Sequence, residues 1–213
     1  MTCSRRKSCH TTFTQGARGA RPVADVARLR HSGRVDDATT QVGAAPVQHL
    51  VLMGVAGSGK TTLATILTER LGVPSAEADE FHPPANIAKM SAGTPLDDDD
   101  RWPWLESIRD WLTAQTRAGQ PSVVTCSALK RAYRDVLRTA EGRVRFVHLT
   151  AAPDLLEQRM AHRAGHFMPT TLLPSQLATL EPLDDDEDGV SVVVDVPPDA
   201  VADRTLAALR AGD

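Results

Sequence analysis

The chain of 213 residues is 41% hydrophobic and 24% charged, enough apolar material for one packed domain and too much for a disordered chain. Its net charge of -3 argues against a nucleic-acid binder, and its longest apolar run, 50–56, falls short of the ~20 residues of a membrane span. Three cysteines, Cys3, Cys9 and Cys126, make no disulfide framework and point to a reducing, cytoplasmic compartment.

Residues 1–48 hold eight Lys or Arg against three Asp and show no sustained apolar periodicity. They read as a disordered basic extension or a misassigned start, in preference to an Arg-rich targeting segment. From 49 to 213, strand-like apolar runs alternate with amphipathic stretches, which predicts an α/β domain on a parallel sheet. The first run, 49–55, is continuously apolar, as a central strand covered on both faces should be. A helix over 61–71 puts Leu63, Ile66, Leu67 and Leu71 on one stripe. A short strand follows at 75–78. The next helix, 100–118, turns Leu105, Ile108, Trp111 and Leu112 inward, with the acids 97–100 at its amino end and Asp99 or Asp100 as its cap. Then come a strand at 122–126, a helix over 128–138, a strand at 144–149 and a helix over 153–163 with proline in its first turn. The acidic run 184–188 reads as a solvated loop. A fifth strand at 191–196 and a helix over 199–210 close the chain.

The eight residues Gly54, Val55, Ala56, Gly57, Ser58, Gly59, Lys60 and Thr61 match the phosphate-loop pattern G-x-x-x-x-G-K-[ST] in full, with Thr62 next in line. Glycines allow backbone angles that side chains forbid, so that loop amides and the following helix end form an anion cradle. Lys60 would bridge the β- and γ-phosphates of ATP, and Thr61 would ligate Mg²⁺ through its hydroxyl. With Gly near 7% of residues, chance supplies roughly one such match per hundred chains of this length. An apolar strand before the loop and an amphipathic helix after it reduce the odds of accident further. The lone asparagine, Asn86, is followed by Ile87, so the base-reading Asn-Lys-x-Asp of switch GTPases is missing. The strand at 122–126 lacks the terminal Asp by which ATP-driven motors hold their metal. A small-molecule kinase is the class that remains.

Such a kinase needs an acceptor pocket opposite the γ-phosphate. Asp79, about 20 residues past the loop at the end of the second strand, is placed to meet it, with Glu77 as support. Around it run Glu77-Ala78-Asp79-Glu80-Phe81-His82-Pro83, then Asn86-Ile87-Ala88-Lys89-Met90, and then 96–105 with Arg101, Trp102, Pro103 and Trp104. Further on come Cys126-Ser127-Ala128-Leu129-Lys130, Tyr133-Arg134-Asp135, Gly165-His166-Phe167, and Ser175-Gln176 with Leu180-Glu181. In order and spacing, these segments of 50–183 resemble the gluconokinases, small P-loop NTPases of the adenylate-kinase-like fold. Glu77-Ala78 stands where an Asp-Gly pair is usual, and Leu177-Ala178 where an aromatic-acidic pair is usual. These departures are expected to tune the pocket.

The resemblance implies a nucleoside/shikimate-kinase-like three-layer α/β/α domain with a five-stranded parallel sheet and a short lid near 163–175. It implies transfer of the ATP γ-phosphate to the 6-hydroxyl of D-gluconate, with Mg²⁺, in a homodimer. His82, Lys89, Arg101, Lys130 and Arg134 are then candidates for the acceptor carboxylate and the developing phosphoryl charge. Asp79 would orient the 6-hydroxyl, and Lys60, Asp79 and Lys130 would be catalytic. Arg159 and Arg163, four apart on one helix, would flank the nucleotide; His166, Gln176 and Glu181 would reach substrate through the lid. His162 and His166 lack a third metal ligand, and Cys126 reads as packing. The same fold could serve shikimate or another small hydroxy acid. A nucleotide-binding regulator without turnover is the alternative of another class.

Overall fold

The computed structural model describes residues 47–161 and 173–212. Its strands are β1 (Gln48–Met53), β2 (Ser75–Glu77), β3 (Ser122–Thr125), β4 (Arg143–Thr150) and β5 (Gly189–Val193). All pair in parallel, in the order β2-β3-β1-β4-β5. The helices are α1 (Lys60–Leu71), α2 (Pro84–Ser91), α3 (Asp98–Arg117), α4 (Arg131–Leu137), α5 (Pro153–Ala161), α6 (Leu173–Thr179) and α7 (Pro198–Ala211). The basic extension up to residue 46, Arg163, His166 and the expected lid up to residue 172 lie outside the described residues. No helix among the described residues is long and apolar enough to cross a membrane.

Alternation along the strands creates the layers. Val51, Met53, Val124, Val144 and Phe146 face α3 and α4, where Leu105, Ile108, Leu112 and Leu137 close the core. Leu50, Leu52, Val123, Val147 and Leu149 face Leu63 and Leu67 of α1 and Val201 and Leu209 of α7. Each large aliphatic side chain so buried stabilises the fold by about 1.5–3 kcal/mol. The outcome is the expected three-layer domain on five parallel strands, with β1 central as its apolar run requires.

Local chemistry moves several boundaries. The α3 helix starts at Asp98, two residues early, because Asp97 is its cap, not Asp99 or Asp100. Asp97 Oδ1 accepts from Asp100 N at 3.0 Å, and Asp100 Oδ2 accepts from Asp97 N at 2.9 Å, a reciprocal capping box. Residues 128–130 are not helical: Ala128 has φ 42, and α4 begins only at Arg131. A 3-10 turn over Ala78–Phe81 and the helix α2 occupy a stretch whose sequence gives no periodic signal.

The acidic run is not a solvated loop. Arg131 pairs with Asp184 at 2.8 Å and with Asp186 at 2.6 Å, and holds the Asp186 carboxyl down to about 2. Asp188 accepts from Arg143 at 2.7 Å and Arg145 at 3.0 Å. Between them Glu187 meets Arg134 through two bonds of 2.6 and 2.7 Å, with side-chain exposures of 2% and 0%. The run is therefore a strap that ties α4 and β4 to the segment entering β5.

Burial pushes the Glu187 carboxyl up, and the hydrogen bonds of Arg134 and of the Asp184 amide, with the nearby arginine charges, together more than offset that, leaving it below its ordinary value. A lowered folded-state pKa gives stability that is complete above the unfolded value and is lost as pH falls through the folded one. Glu187→Ala should cost about 3–5 kcal/mol in urea unfolding at neutral pH, since Arg134 is then buried without its counter-charge. Glu187→Gln should also flatten the acid limb of the stability profile.

Candidate active site

The phosphate loop leaves β1 at Gly54, whose φ of 134 few other residues adopt. A Cβ there would lie 2.7 Å from the Leu149 carbonyl oxygen, so the loop approaches β4 as closely as it does only with glycine. The α1 helix is entered through Gly59 at φ 92, with no side-chain cap. Its first amides therefore remain available to an anion. Ser58 is fully buried, and its Oγ has no hydrogen-bond partner among the described residues. Lys60 Nζ donates to the carbonyls of Gly54 at 2.9 Å and Val55 at 3.0 Å, which keeps the ammonium over the loop. Open amides, a cation and the hydroxyls of Thr61 and Thr62 form a donor set that fits a polyphosphate.

Over the loop opens a cavity of about 410 Å³, within the usual range for small-molecule sites. Its floor is the loop and the start of α1; Glu77, Asp79, Cys126 and Ser127 form one wall. Arg159 and the apolar residues Val194, Val196, Pro198 and Val201 form its other end. Thus Asp79 shares one cavity with Lys60 and Thr61, although it belongs to the 3-10 turn and not to the end of β2. Two contacts fix that turn. Trp104 Nε1 donates to the Ala78 carbonyl at 2.6 Å, and the Thr125 hydroxyl donates to the Glu77 carboxylate, joining the ends of β3 and β2.

The expected cations separate into distinct roles. Arg134 does not reach the cavity: besides Glu187 it donates to the carbonyl oxygens of Glu181 at 3.0 Å and Pro182 at 3.2 Å. Its charge is consumed inside the domain, which corrects the expectation that it binds substrate. Lys89 is likewise committed elsewhere, to Asp97 at 3.0 Å and to Asp100, and so reinforces the cap of α3. His82 stacks on Trp104 at 4.5 Å. Burial pushes its pKa down, with Asp79 opposing and Arg101 adding to the shift, so it is neutral at pH 7 and poorly suited to pairing with an anion.

Arg101 and Lys130 remain, and they converge. Lys130 Nζ donates to Asp98 at 2.7 and 3.0 Å, and Arg101 Nη1 approaches Asp98 Oδ1 and Tyr133 Oη at 3.4 Å each. This cluster is not part of the cavity lining; Arg101 lies about one turn before Trp104 on α3, whose indole anchors the turn that carries Asp79. Tyr133 and Trp104 stand in segments that carry the family resemblance, but no sequence pattern gave a role to them, to Asp98 or to Thr125. Asp98 was hidden in a run of four identical acids, and Thr125 lay inside a strand.

Arg159 lines the cavity while donating to the Val194 carbonyl at 2.9 Å. Gln176 also lines it, and its Oε1 accepts from the Ala56 amide of the loop at 2.7 Å. Glu181 turns away from the cavity: its Oε2 accepts from the Arg131 amide at 2.5 Å, at the amino end of α4. Cys126 is buried in the core between the sheet and α3, as a packing residue, and that burial pushes its thiol up to about 12.

The chain is similar to known proteins over this whole region. A profile of the AAA domain family matches residues 50–183. A gluconokinase of Gluconobacter oxydans is 50% identical over 174 residues, which cover 82% of this chain and 97% of that one. The crystal structure of a sugar kinase from Janibacter sp. aligns with a TM-score of 0.73 at 50% identity, over 78% of this chain and 95% of that one. A gluconokinase from Sinorhizobium meliloti aligns at 0.70 and 44% identity, over 79% and 94%.

The turn that carries Asp79 can be probed through its anchor. Trp104→Phe keeps an aromatic ring but removes the pyrrole whose Nε1 serves the Ala78 carbonyl, and the lost hydrogen bond alone costs about 1–3 kcal/mol. Hydrogen exchange over 78–82 should accelerate while exchange in the phosphate loop stays unchanged. Equal acceleration in both segments would mean that Trp104 supports the whole domain instead of this turn.

Proposed function

The chain belongs to the gluconokinase family, and we propose that the cavity over its phosphate loop transfers the γ-phosphate of ATP to the 6-hydroxyl of D-gluconate. The products are 6-phosphogluconate and ADP. Loop amides and the open amino end of α1 hold the β- and γ-phosphates. Lys60 neutralises charge on the phosphoryl group in transit, and Arg159 flanks the nucleotide.

Thr61 offers its hydroxyl to Mg²⁺. When bound, the ion neutralises charge between the β- and γ-phosphates. Among the described residues no group of three or more His, Cys, Asp or Glu gathers to hold a metal. In kinases Mg²⁺ commonly takes only one or two protein ligands beside phosphate oxygens and water, and Thr61 would be such a ligand.

Asp79 orients the 6-hydroxyl and takes up its proton as the new O–P bond forms. The transition state is loose, so positioning by the anchored turn matters more than the basicity of the carboxylate. Gluconate is an anionic linear polyol. Its carboxylate is assigned to Arg101 and Lys130, two cations that share the single acid Asp98 and so keep one positive charge over, whereas Arg134 is buried against Glu187, Lys89 meets two acids and His82 is neutral. Gln176 keeps the Ala56 amide in register with the phosphates. A cytoplasmic location and a dimeric assembly complete the proposal: three cysteines suit a reducing compartment, and light scattering measures the assembly.

The observation that carries this reading is one cavity in which a phosphate loop faces an anchored carboxylate, in a chain half identical to a gluconokinase. The test is ADP release with gluconate, shikimate and nucleoside monophosphates as acceptors. Gluconate should give saturable turnover and the others little. Preference for another acceptor would reassign the substrate, and turnover with none would leave a nucleotide-binding regulator. Lys60→Ala should abolish turnover. Asp79→Asn should lower kcat by about 10²–10⁴-fold with the KM for ATP unchanged. Normal turnover by Asp79→Asn would remove this residue from the mechanism.

A further inference from the structure

Two cations that share one substrate carboxylate repel each other before it arrives. Arg101 and Lys130 face this problem at the amino ends of α3 and α4, and Asp98 answers it. The Asp98 carboxylate lies between them, accepting from Lys130 at 2.7 and 3.0 Å and from the Tyr133 hydroxyl at 2.5 Å, with Arg101 at 3.4 Å. The Tyr133 ring is a fixed platform beneath the pair. It is 4% exposed and edge-on to Trp102 at 5.6 Å, with Lys130 Nζ 5.3 Å and Arg101 Cζ 5.7 Å from its centroid. Both cations therefore gain from the ring face as well as from the carboxylate.

We propose that Asp98 and Tyr133 are the positioning pair of the acceptor site: they hold Arg101 and Lys130 in one fixed arrangement that recognises the single carboxylate of a sugar acid. The inference rests on the gluconate kinase reading and adds two residues to it. Three features support the assignment. Asp98 is the first residue of α3, where the helix dipole favours a carboxylate, so it is a durable anchor. Hydrogen bonds from Lys130 and Tyr133 hold its pKa below the ordinary value, which keeps it charged throughout the physiological range. Two cations and one anion leave one positive charge, matched to a monoanion. Arg101 spends only Nη1 on this cluster; its Nε and Nη2 have no hydrogen-bond partner among the described residues and can present a bidentate edge to a carboxylate.

Steady-state kinetics on the full chain test the pair. Asp98→Asn should raise the KM for gluconate about tenfold, the effect of one charge-assisted hydrogen bond, with kcat within about threefold and the KM for ATP unchanged. Tyr133→Phe retains the ring and its packing, and should raise the same KM by a smaller factor. In a Lys130→Met background Asp98→Asn should add less than about twofold, because the group it positions is gone. A merely structural role would move both KM values and ignore the Lys130→Met background, which would overturn the proposal. So would an unchanged gluconate KM in both single variants, or a lower one in Asp98→Asn, which would make Asp98 a competitor of the substrate carboxylate. If the unaltered protein ignores gluconate but turns over another acid, the gluconate reading fails, and the pair is judged by the KM for that acid.

Discussion

A helix that begins at glycine has no side chain to satisfy its first amides, and α1 begins at Gly59. Those donors are the resource on which the site is built. To keep them open, the chain must leave β1 at a positive φ, pass close to the end of β4 at Gly54, and hold Lys60 over its own loop carbonyls. The sheet supplies the rigidity this arrangement needs: β1 is flanked on both sides, so its carboxyl end is among the least mobile points of the fold. Catalytic geometry is inherited from strand pairing.

The acceptor side is organised by α3 in a different manner. Four successive acids at its start look equivalent in the sequence, yet the helix start gives them different surroundings. Asp97 and Asp100 close the cap and take Lys89, while Asp98 points to α4, where Lys130 and Tyr133 meet it. One turn further on, Trp104 fastens the turn that bears Asp79. A single helix start thus sets the position of a carboxylate that shares the cavity of the phosphate loop and of the cations proposed for the far end of the acceptor.

The legible parts of the chain were those whose signal is local. The phosphate loop is contiguous, and β1 and β3 are short apolar runs, so these could be read directly; β2, only Ser75–Glu77, carries a weaker signal. Asp79 was legible because ligands in parallel sheets are met beyond strand ends, although the turn that carries it was not. Pairings across the chain were hidden. Arg134 has the appearance of a substrate cation, but its partner Glu187 comes 53 residues later, inside a run that looked like a solvated loop. Lys89 was misread for a related reason: its partners are cap residues, and the cap could be located only once the start of α3 was known.

The position of β1 has a consequence for biosynthesis. Its neighbours in the sheet come from 122–125 and 143–150, both well downstream, so the strand emerges from the ribosome long before either can embrace it. Until some 150 residues have been made, the nascent chain carries the loop sequence without the scaffold that shapes it. A fragment ending before β4 would hold the motif in full but lack the strand that flanks β1 on one side and the Leu149 carbonyl that Gly54 approaches.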